Sequence, residues 1–132
     1  MSPSLTPALA LDYLRELSAD VRAGVVLGRD GARLAGDPAL AAPAAALIAA
    51  MGDAAEAEAR SPRGAVLAAR AGELAVVLAC GPRALGGLAR HDLRLVLGDL
   101  GAPPGGAADA AFAPPPALAD AVLRAVERAP GR

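Results

Sequence analysis

Two apolar runs lie next to each other near the middle of the chain and form its strongest pattern. They cover residues 65–70 and 73–80, and Ala71 and Gly72 separate them. Glycine takes the positive φ of a tight hairpin turn without strain, and the valines of both runs suit a pleated, half-buried surface. The pattern therefore predicts a β-hairpin within residues 64–81.

The second strand of this hairpin is apolar on both faces. Leu74, Val76 and Leu78 share one face at period two, and Ala75 and Val77 occupy the other. A strand of this kind is normally central in a sheet that helices cover on both sides. The rest of the chain supplies candidates for those helices.

The first candidate helix has a clear start signal and an amphipathic pattern. Thr6 can cap a helix whose first residue is Pro7, and leucine recurs at helical spacing up to about Asp20. Two short apolar runs follow around Asp30 and Gly31, a dipeptide that is typical of tight hairpin turns. This part of the chain therefore predicts a helix and then a hairpin.

An alanine-rich segment follows, and we expect it to be one helix. Asp37 and Pro38 form a second cap, and alanine, the best helix former, continues to a predicted helix end near Arg60. Pro43 lacks a backbone donor, so either the regular helix begins there or the first turn is a separate short piece. The small residues on its surface fit two interpretations, ordinary packing on the sheet or pairing with a second copy of the chain.

The part of the chain after the hairpin predicts weaker elements. Residues 84–89 fit a short third strand, and residues 92–100 fit a short helix. Residues 102–116 are rich in proline, glycine and alanine, which predicts a linker. The last segment, residues 117–132, predicts an amphipathic helix that is marginal alone and must dock if it forms. The main domain is expected over residues 1–101.

Charge and apolar run length exclude two kinds of partner. The chain has no lysine, and its 13 arginines are scattered among 14 acidic residues, for a formal net charge of −1. Nucleic-acid binding needs a concentrated basic surface, so we expect no nucleic-acid partner. The longest uncharged run, residues 38–52, is too short for a membrane span.

The remaining candidate chemistry is sparse. Cys80 is the one cysteine and lies in a predicted strand, which favours a small buried hydrophobe in a reducing cytoplasm. His91 is the one histidine and has no cluster of metal ligands around it. No catalytic set, phosphate loop or signal peptide is recognisable. We therefore expect a cytoplasmic protein that is not an enzyme and uses no cofactor or metal.

The order of elements resembles the Roadblock family of dynein light-chain-like regulators. The likeness lies in residues 14–36, where Gly24-Val25 and Asp30-Gly31 match the family's turn pattern, and in residues 65–97. It covers roughly residues 7–101. The shared motifs are patterns of apolar residues and turns, without a catalytic signature.

The resemblance implies an α/β (α+β) fold with the element order αββαβββα. An antiparallel sheet of about five strands would be sandwiched between a middle helix on one face and two outer helices on the other. This agrees with the doubly apolar strand, which the residues predict independently. Family members are scaffolds and regulators of small Ras-like GTPases, or adaptors on motors. The resemblance therefore implies a non-enzymatic regulatory or scaffold module with a small GTPase as partner.

The resemblance also implies self-association as a homodimer. In the family, middle helices pair and sheets join edge to edge through the third strand, which would correspond here to residues 44–59 and 65–70. The candidate interface residues are Ala45, Ile48, Ala49, Met51, Gly52, Ala65, Leu67 and Ala69.

A second interpretation is a small-ligand-sensing α/β domain of the profilin-like, PAS-like or GAF-like type. Such domains hold a small molecule between sheet and helices, in pockets that usually carry aromatic residues and convergent polar groups. Tyr13 and Phe112 are the only Phe, Tyr or Trp residues of this chain, which disfavours this interpretation.

Overall fold

The computed structural model describes residues 6–17, 20–83, 93, 96 and 113–128. The helices in these ranges are α1 (Pro7–Leu17), α2 (Ala41–Ala50) and α3 (Pro116–Arg128), and a short 3-10 turn, Pro38–Leu40, leads into α2. The strands are β1 (Val21–Leu27), β2 (Arg33–Gly36), β3 (Glu56–Ser61), β4 (Gly64–Ala71) and β5 (Leu74–Cys80).

The five strands form one antiparallel sheet in the order β2-β1-β5-β4-β3. Strand β5 pairs with β1 on one side and with β4 on the other, so that Val25 faces Val77 and Leu67 faces Leu78. All of β5 after Leu74 is buried. The predicted five-stranded antiparallel sheet is confirmed, and the doubly apolar strand lies at its centre.

Each face of the sheet carries its own layer of helix. On one face, called here the α1 face, α1 packs through Ala10, Leu11 and Leu14. Leu93 and Val96 belong to the same core, and both are helical and fully buried. The opposite face, called here the α2 face, carries α2 and α3. The expected sandwich, with the middle helix opposite the outer helices, is confirmed.

Two capping residues start the helical segments as predicted. The Leu9 backbone N–H donates to Thr6 Oγ1 at 3.2 Å, and the Ala39 N–H donates to Asp37 Oδ1 at 2.9 Å. The Asp37 cap begins the separate 3-10 turn, and Pro43 lies in the first turn of α2. Of the two starts considered for the middle helix, the separate first turn is the correct one.

The predicted length of the middle helix is wrong. Helix α2 ends at Ala50, not near Arg60, and the chain turns at Gly52, whose φ is +57°. The helix preference of alanine over most residues amounts to only about 0.7 kcal/mol per residue or less. Pairing of β3 with β4 along its whole length outweighs that preference.

A strand that the sequence pattern did not predict, β3, comes before the hairpin and takes the outer position next to β4. The short strand predicted over residues 84–89 lies outside the described residues. The signal of β3 in the sequence is the alternation of charged and small residues in EAEARS, which the surrounding alanine content masks.

Candidate interaction surface

Five of the eight predicted interface residues lie in α2 or directly after it. Met51 is buried against the sheet, Ala45 and Ile48 are half-buried, and Ala49 and Gly52 are exposed. Met51 is therefore a core residue, and the other four contribute to the outer surface of the helix.

The half-buried residues of this group lie near the turn between β1 and β2. A Cβ on Gly31 would be 3.8 Å from the Cβ of Ala45, and Ile48 and Gly52 line a cleft with Gly28 of the same turn. In the order of strands, β1 and β2 lie toward one edge of the sheet and β3 forms the opposite edge. This part of α2 therefore faces away from the outer strand β3.

The other three predicted interface residues, Ala65, Leu67 and Ala69, lie in β4 and are at most 2% exposed. Their side chains belong to the core of the α1 face, across the sheet from α2. Strand β4 pairs with both β3 and β5, so the prediction that residues 65–70 form the joining edge is wrong. The structure does not bring the α2 group and the β4 group together in one surface.

Strand β3 is the outer strand that the sequence reasoning missed. Ala57 is buried and Ala59 half-buried in the core of the α2 face, and Glu58 and Arg60 alternate with them toward the α1 face. Arg60 Nε donates to Glu58 Oε2 at 3.0 Å. On the same face of β3 lie the buried Glu56, the half-buried Glu58 and the exposed Arg60, two positions apart from one another.

The C-terminal helix α3 docks on the α2 face, next to β3. It packs on β4 and also contacts β3, β5, α2 and the turn Pro38–Leu40. Its buried residues are Ala119, Val122, Leu123 and Ala125. Helix α3, which is too short to be stable alone, therefore docks on the part of the sheet that contains β3 and β4.

A polar clasp holds α3 to the turn between β3 and β4. Arg63 Nη1 donates to Glu127 Oε1 at 2.6 Å, and Arg63 Nε lies 3.3 Å from Asp120 Oδ1. Asp120 also pairs with Arg124 one helical turn later, at 2.6 Å. The hydrogen bond and the charge of Glu127 raise the pKa of the Arg63 guanidinium, with a smaller contribution from Asp120.

A cleft of about 370 Å³ opens at the opposite end of β4 from this clasp. It is lined by Arg29, Asp53, Arg70 and Glu73, among others, and no aromatic residue is among the lining residues. Arg29 Nη1 lies 3.9 Å from Glu73 Oε2, and both side chains are largely exposed. An open cleft of mixed charge without aromatic contacts does not favour the small-ligand-sensing interpretation.

Other chemistry is sparse in the described part of the chain. Burial raises the pKa of the Cys80 thiol to about 11, with a further contribution from the charge of Asp20. Among the described residues, no three His, Cys, Asp or Glu side chains are grouped as metal ligands would be. None of the described helices combines the length and apolar character that crossing a membrane requires.

Neither the protein-family models nor the curated proteins compared with this sequence give a match. Solved structures do match. The Roadblock/LC7 domain from Streptomyces avermitilis is 21% identical with a TM-score of 0.57, over 67% of this chain and 92% of that chain. The gliding protein MglB from Thermus thermophilus is 18% identical with a TM-score of 0.59, over 76% and 95% of the two chains.

A further match is MglB with a tetrameric arrangement, at 18% identity and a TM-score of 0.60, over 76% of this chain and 94% of that chain. At these identities the likeness shows the fold. This chain therefore has the fold of Roadblock/LC7 domains, as the resemblance in its sequence implies.

Proposed function

We propose that this chain is a non-enzymatic interaction module that regulates or scaffolds a small Ras-like GTPase. The observation that carries the proposal is the fold, because the sheet with α1 on one face and α2 on the other is shared with Roadblock/LC7 domains and MglB. The proposal includes a cytoplasmic location, which suits a protein whose one cysteine is a buried free thiol.

We propose the outer side of α1 as the surface that contacts the GTPase. Leu9 and Tyr13 lie one helical turn apart there and are 55% and 45% exposed. Neighbouring large apolar side chains in an exposed position favour contact with another protein. Leu34 is 49% exposed on β2 and offers a matched control. Its neighbour Ala35 packs on the α1 face, so Leu34 points to the other face.

The test measures binding of the full chain to small Ras-like GTPases from the same organism, each loaded with GDP or with a non-hydrolysable GTP analogue. We expect one GTPase to bind with a preference for one nucleotide state. The double variant Leu9→Ser/Tyr13→Ser is expected to weaken binding about tenfold, and Leu34→Ser to leave it unchanged. Failure of every such GTPase to bind in either state would make the proposed function wrong. Unchanged binding in the double variant would place the contact away from α1.

We further propose that the module is a homodimer joined at β3. MglB in a tetrameric arrangement is a precedent for self-association of this fold. A two-fold axis through Ala59, normal to the sheet, would set Glu58 of each copy opposite Arg60 of the other. These two side chains bond to each other within each chain, so pairing would exchange the two bonds within the copies for two bonds between them.

The charge pattern of β3 selects this register. Opposite charges at directly facing positions stabilise an antiparallel pair by about 0.2–1 kcal/mol, and like charges destabilise it. An axis through Glu58 would set that residue opposite its own copy, and the two Arg60 pairs beside it would involve Glu56, which is already buried in its own chain. An axis through Arg60 would set Arg60 opposite its own copy. The axis through Ala59 avoids both repulsions and creates two attractive pairs.

The oligomeric state of the full chain tests this dimer, by light scattering over a range of concentrations. We expect Glu58→Arg to shift the equilibrium toward monomer, and Glu58→Arg/Arg60→Glu to restore the dimer. Ala49→Arg tests the alternative contact through the exposed side of α2 and is expected to have little effect. A wild-type chain that stays monomeric at every concentration would contradict the proposed dimer. Loss of the dimer in Ala49→Arg alone would mean that the two copies contact each other through α2 and not through β3.

A further inference from the structure

Four exposed residues form one stripe along the outer side of α1, called here the α1 stripe. They are Leu9, Asp12, Tyr13 and Glu16. These residues occupy the positions i, i+3, i+4 and i+7 of the helix, which lie on one side of it. The buried residues of α1 lie on its other side, against the sheet. The two large apolar side chains of the proposed contact surface are therefore interleaved with two carboxylates.

The two carboxylates of the α1 stripe make the free chain less stable. Neither Asp12 nor Glu16 makes an ion pair or a hydrogen bond with a described residue. They lie one helical turn apart, and like charges at this spacing destabilise a helix. Glu16 also lies in the last turn of α1, where the helix dipole disfavours a negative charge. In sequence, α1 sets these two acidic residues against one basic residue, Arg15.

We infer that the partner meets the α1 stripe with a basic surface, which covers Leu9 and Tyr13 and sets lysine or arginine side chains beside the two carboxylates. The inference rests on the proposed function, because it names the surface by which the small GTPase contacts α1. A cation beside two carboxylates one turn apart is attracted by both and offsets their mutual repulsion. The apolar pair supplies contact area, and the carboxylates select the partner and speed its approach.

The same charges disfavour two other occupants of this surface. In a second copy of this chain, the same stripe packed against itself would set carboxylates against carboxylates. An anionic membrane surface attracts basic segments and repels acidic ones. A partner protein with basic side chains has the chemistry that the α1 stripe fits.

Association kinetics test the charge of this contact. The full-length chain and its variant Asp12→Asn/Glu16→Gln are mixed by stopped flow with the GTPase that binds the wild type, at salt concentrations from about 0.05 to 0.5 M. The substitutions keep the shape of both side chains and remove their charge. We expect the variant to associate about threefold to tenfold more slowly at low salt, with a weaker dependence on salt and little change in dissociation.

The matched control is Asp53→Asn/Glu73→Gln, which removes two exposed carboxylates that line the cleft. Both double variants change the net charge by the same amount, so slower association in the first alone reports where the charge lies. Equal rates in the two double variants, or faster association in the first, would overturn the inference.

The variant Leu9→Ser/Tyr13→Ser separates this failure from failure of the proposed function. If it weakens binding while the two carboxylate variants associate equally fast, the GTPase contacts α1 without a basic surface, and the proposed function stands. If it binds as the wild type does, the contact lies away from α1, and the inference is wrong. Failure of every small GTPase to bind overturns both.

A second measurement needs no partner. Removing the two charges relieves the repulsion along α1, so the free chain with Asp12→Asn/Glu16→Gln is expected to unfold at a higher urea concentration than the wild type. The same substitutions would then stabilise the free chain and weaken the complex. A lower urea midpoint in the variant would mean that the carboxylates stabilise the chain's own fold, and it would overturn the inference.

Discussion

Nη1 of Arg63 donates a hydrogen bond of 2.6 Å to Oε1 of Glu127, and this contact joins the turn after β3 to the last turns of α3. Both side chains are more than one-third exposed, so the contact is screened by salt. The apolar side of α3 supplies the packing, and the clasp fixes where along β3 and β4 the helix lies.

The first prediction concerns this clasp. Replacing Arg63 with glutamine removes its ion pairs with Asp120 and Glu127, so α3 should open more often while the sheet stays folded. Hydrogen exchange of the α3 amides is expected to speed up, and high salt should produce the same effect in the wild-type chain. Arg29→Gln breaks an exposed ion pair elsewhere and serves as the control. Equal exchange rates in the two variants would contradict a positioning role for the clasp.

The second prediction concerns the close approach of β1 and β2. Gly36 has a φ of +100°, and a Cβ there would collide with the Gly24 carbonyl oxygen and lie 2.7 Å from the Val25 Cα. We expect Gly36→Ala to lower the free energy of unfolding by about 2–4 kcal/mol. Gly52→Ala is the control, since its φ is also positive but a Cβ there meets no atom within 4 Å.

Chemical denaturation measures both glycine variants. Gly52→Ala carries backbone strain alone and is expected to cost about 1–2 kcal/mol. A loss as small in Gly36→Ala as in the control would show that the strands can separate to admit the methyl group.

The third prediction separates the core of β4 from an exposed surface. Leu67 is fully buried in β4, between β3 and β5, in the core of the α1 face, so Leu67→Ala should cost about 2–5 kcal/mol of unfolding free energy. Leu34→Ala removes the same atoms from a residue that is 49% exposed and should cost within about 0.5 kcal/mol. Thermal unfolding of both variants checks this. Similar costs would contradict the position of Leu67 in the core.

The fourth prediction concerns pH and Cys80, whose pKa is raised from 9.0 to about 11, mainly by burial. The unfolded chain loses the thiol proton from about pH 9, and the folded chain loses it only from about pH 11. Between these values the unfolded state binds fewer protons, so stability falls as pH rises. The difference of two units corresponds to about 2–3 kcal/mol, fully lost above pH 11.

Urea unfolding at pH 8 and at pH 10.5 measures this effect, with Cys80→Ala as the control that cannot titrate. The difference in stability between the two pH values should be smaller in the variant. An identical pH dependence in both chains would mean that the thiol titrates normally in the folded protein.

Local signals in the sequence determined much of this protein. The Thr6 and Asp37 caps, the Asp30-Gly31 turn and the doubly apolar strand β5 each depend on a few neighbouring residues, and the structure has all of them. Turn geometry and side-chain period act over short distances along the chain. For that reason the hairpins, α1 and the centre of the sheet could be predicted from the residues alone.

The tertiary structure alone decided the outer strand and the place of α3. Residues 56–61 prefer a helix by composition, and only pairing with β4 makes them a strand. Their position at the edge puts Ala65, Leu67 and Ala69 inside the core, where the sequence predicted an interface. Docking of α3 brings Glu127 to Arg63, a residue about half of the chain away in sequence. Strand order and helix docking depend on contacts between distant residues, and no local pattern encodes them.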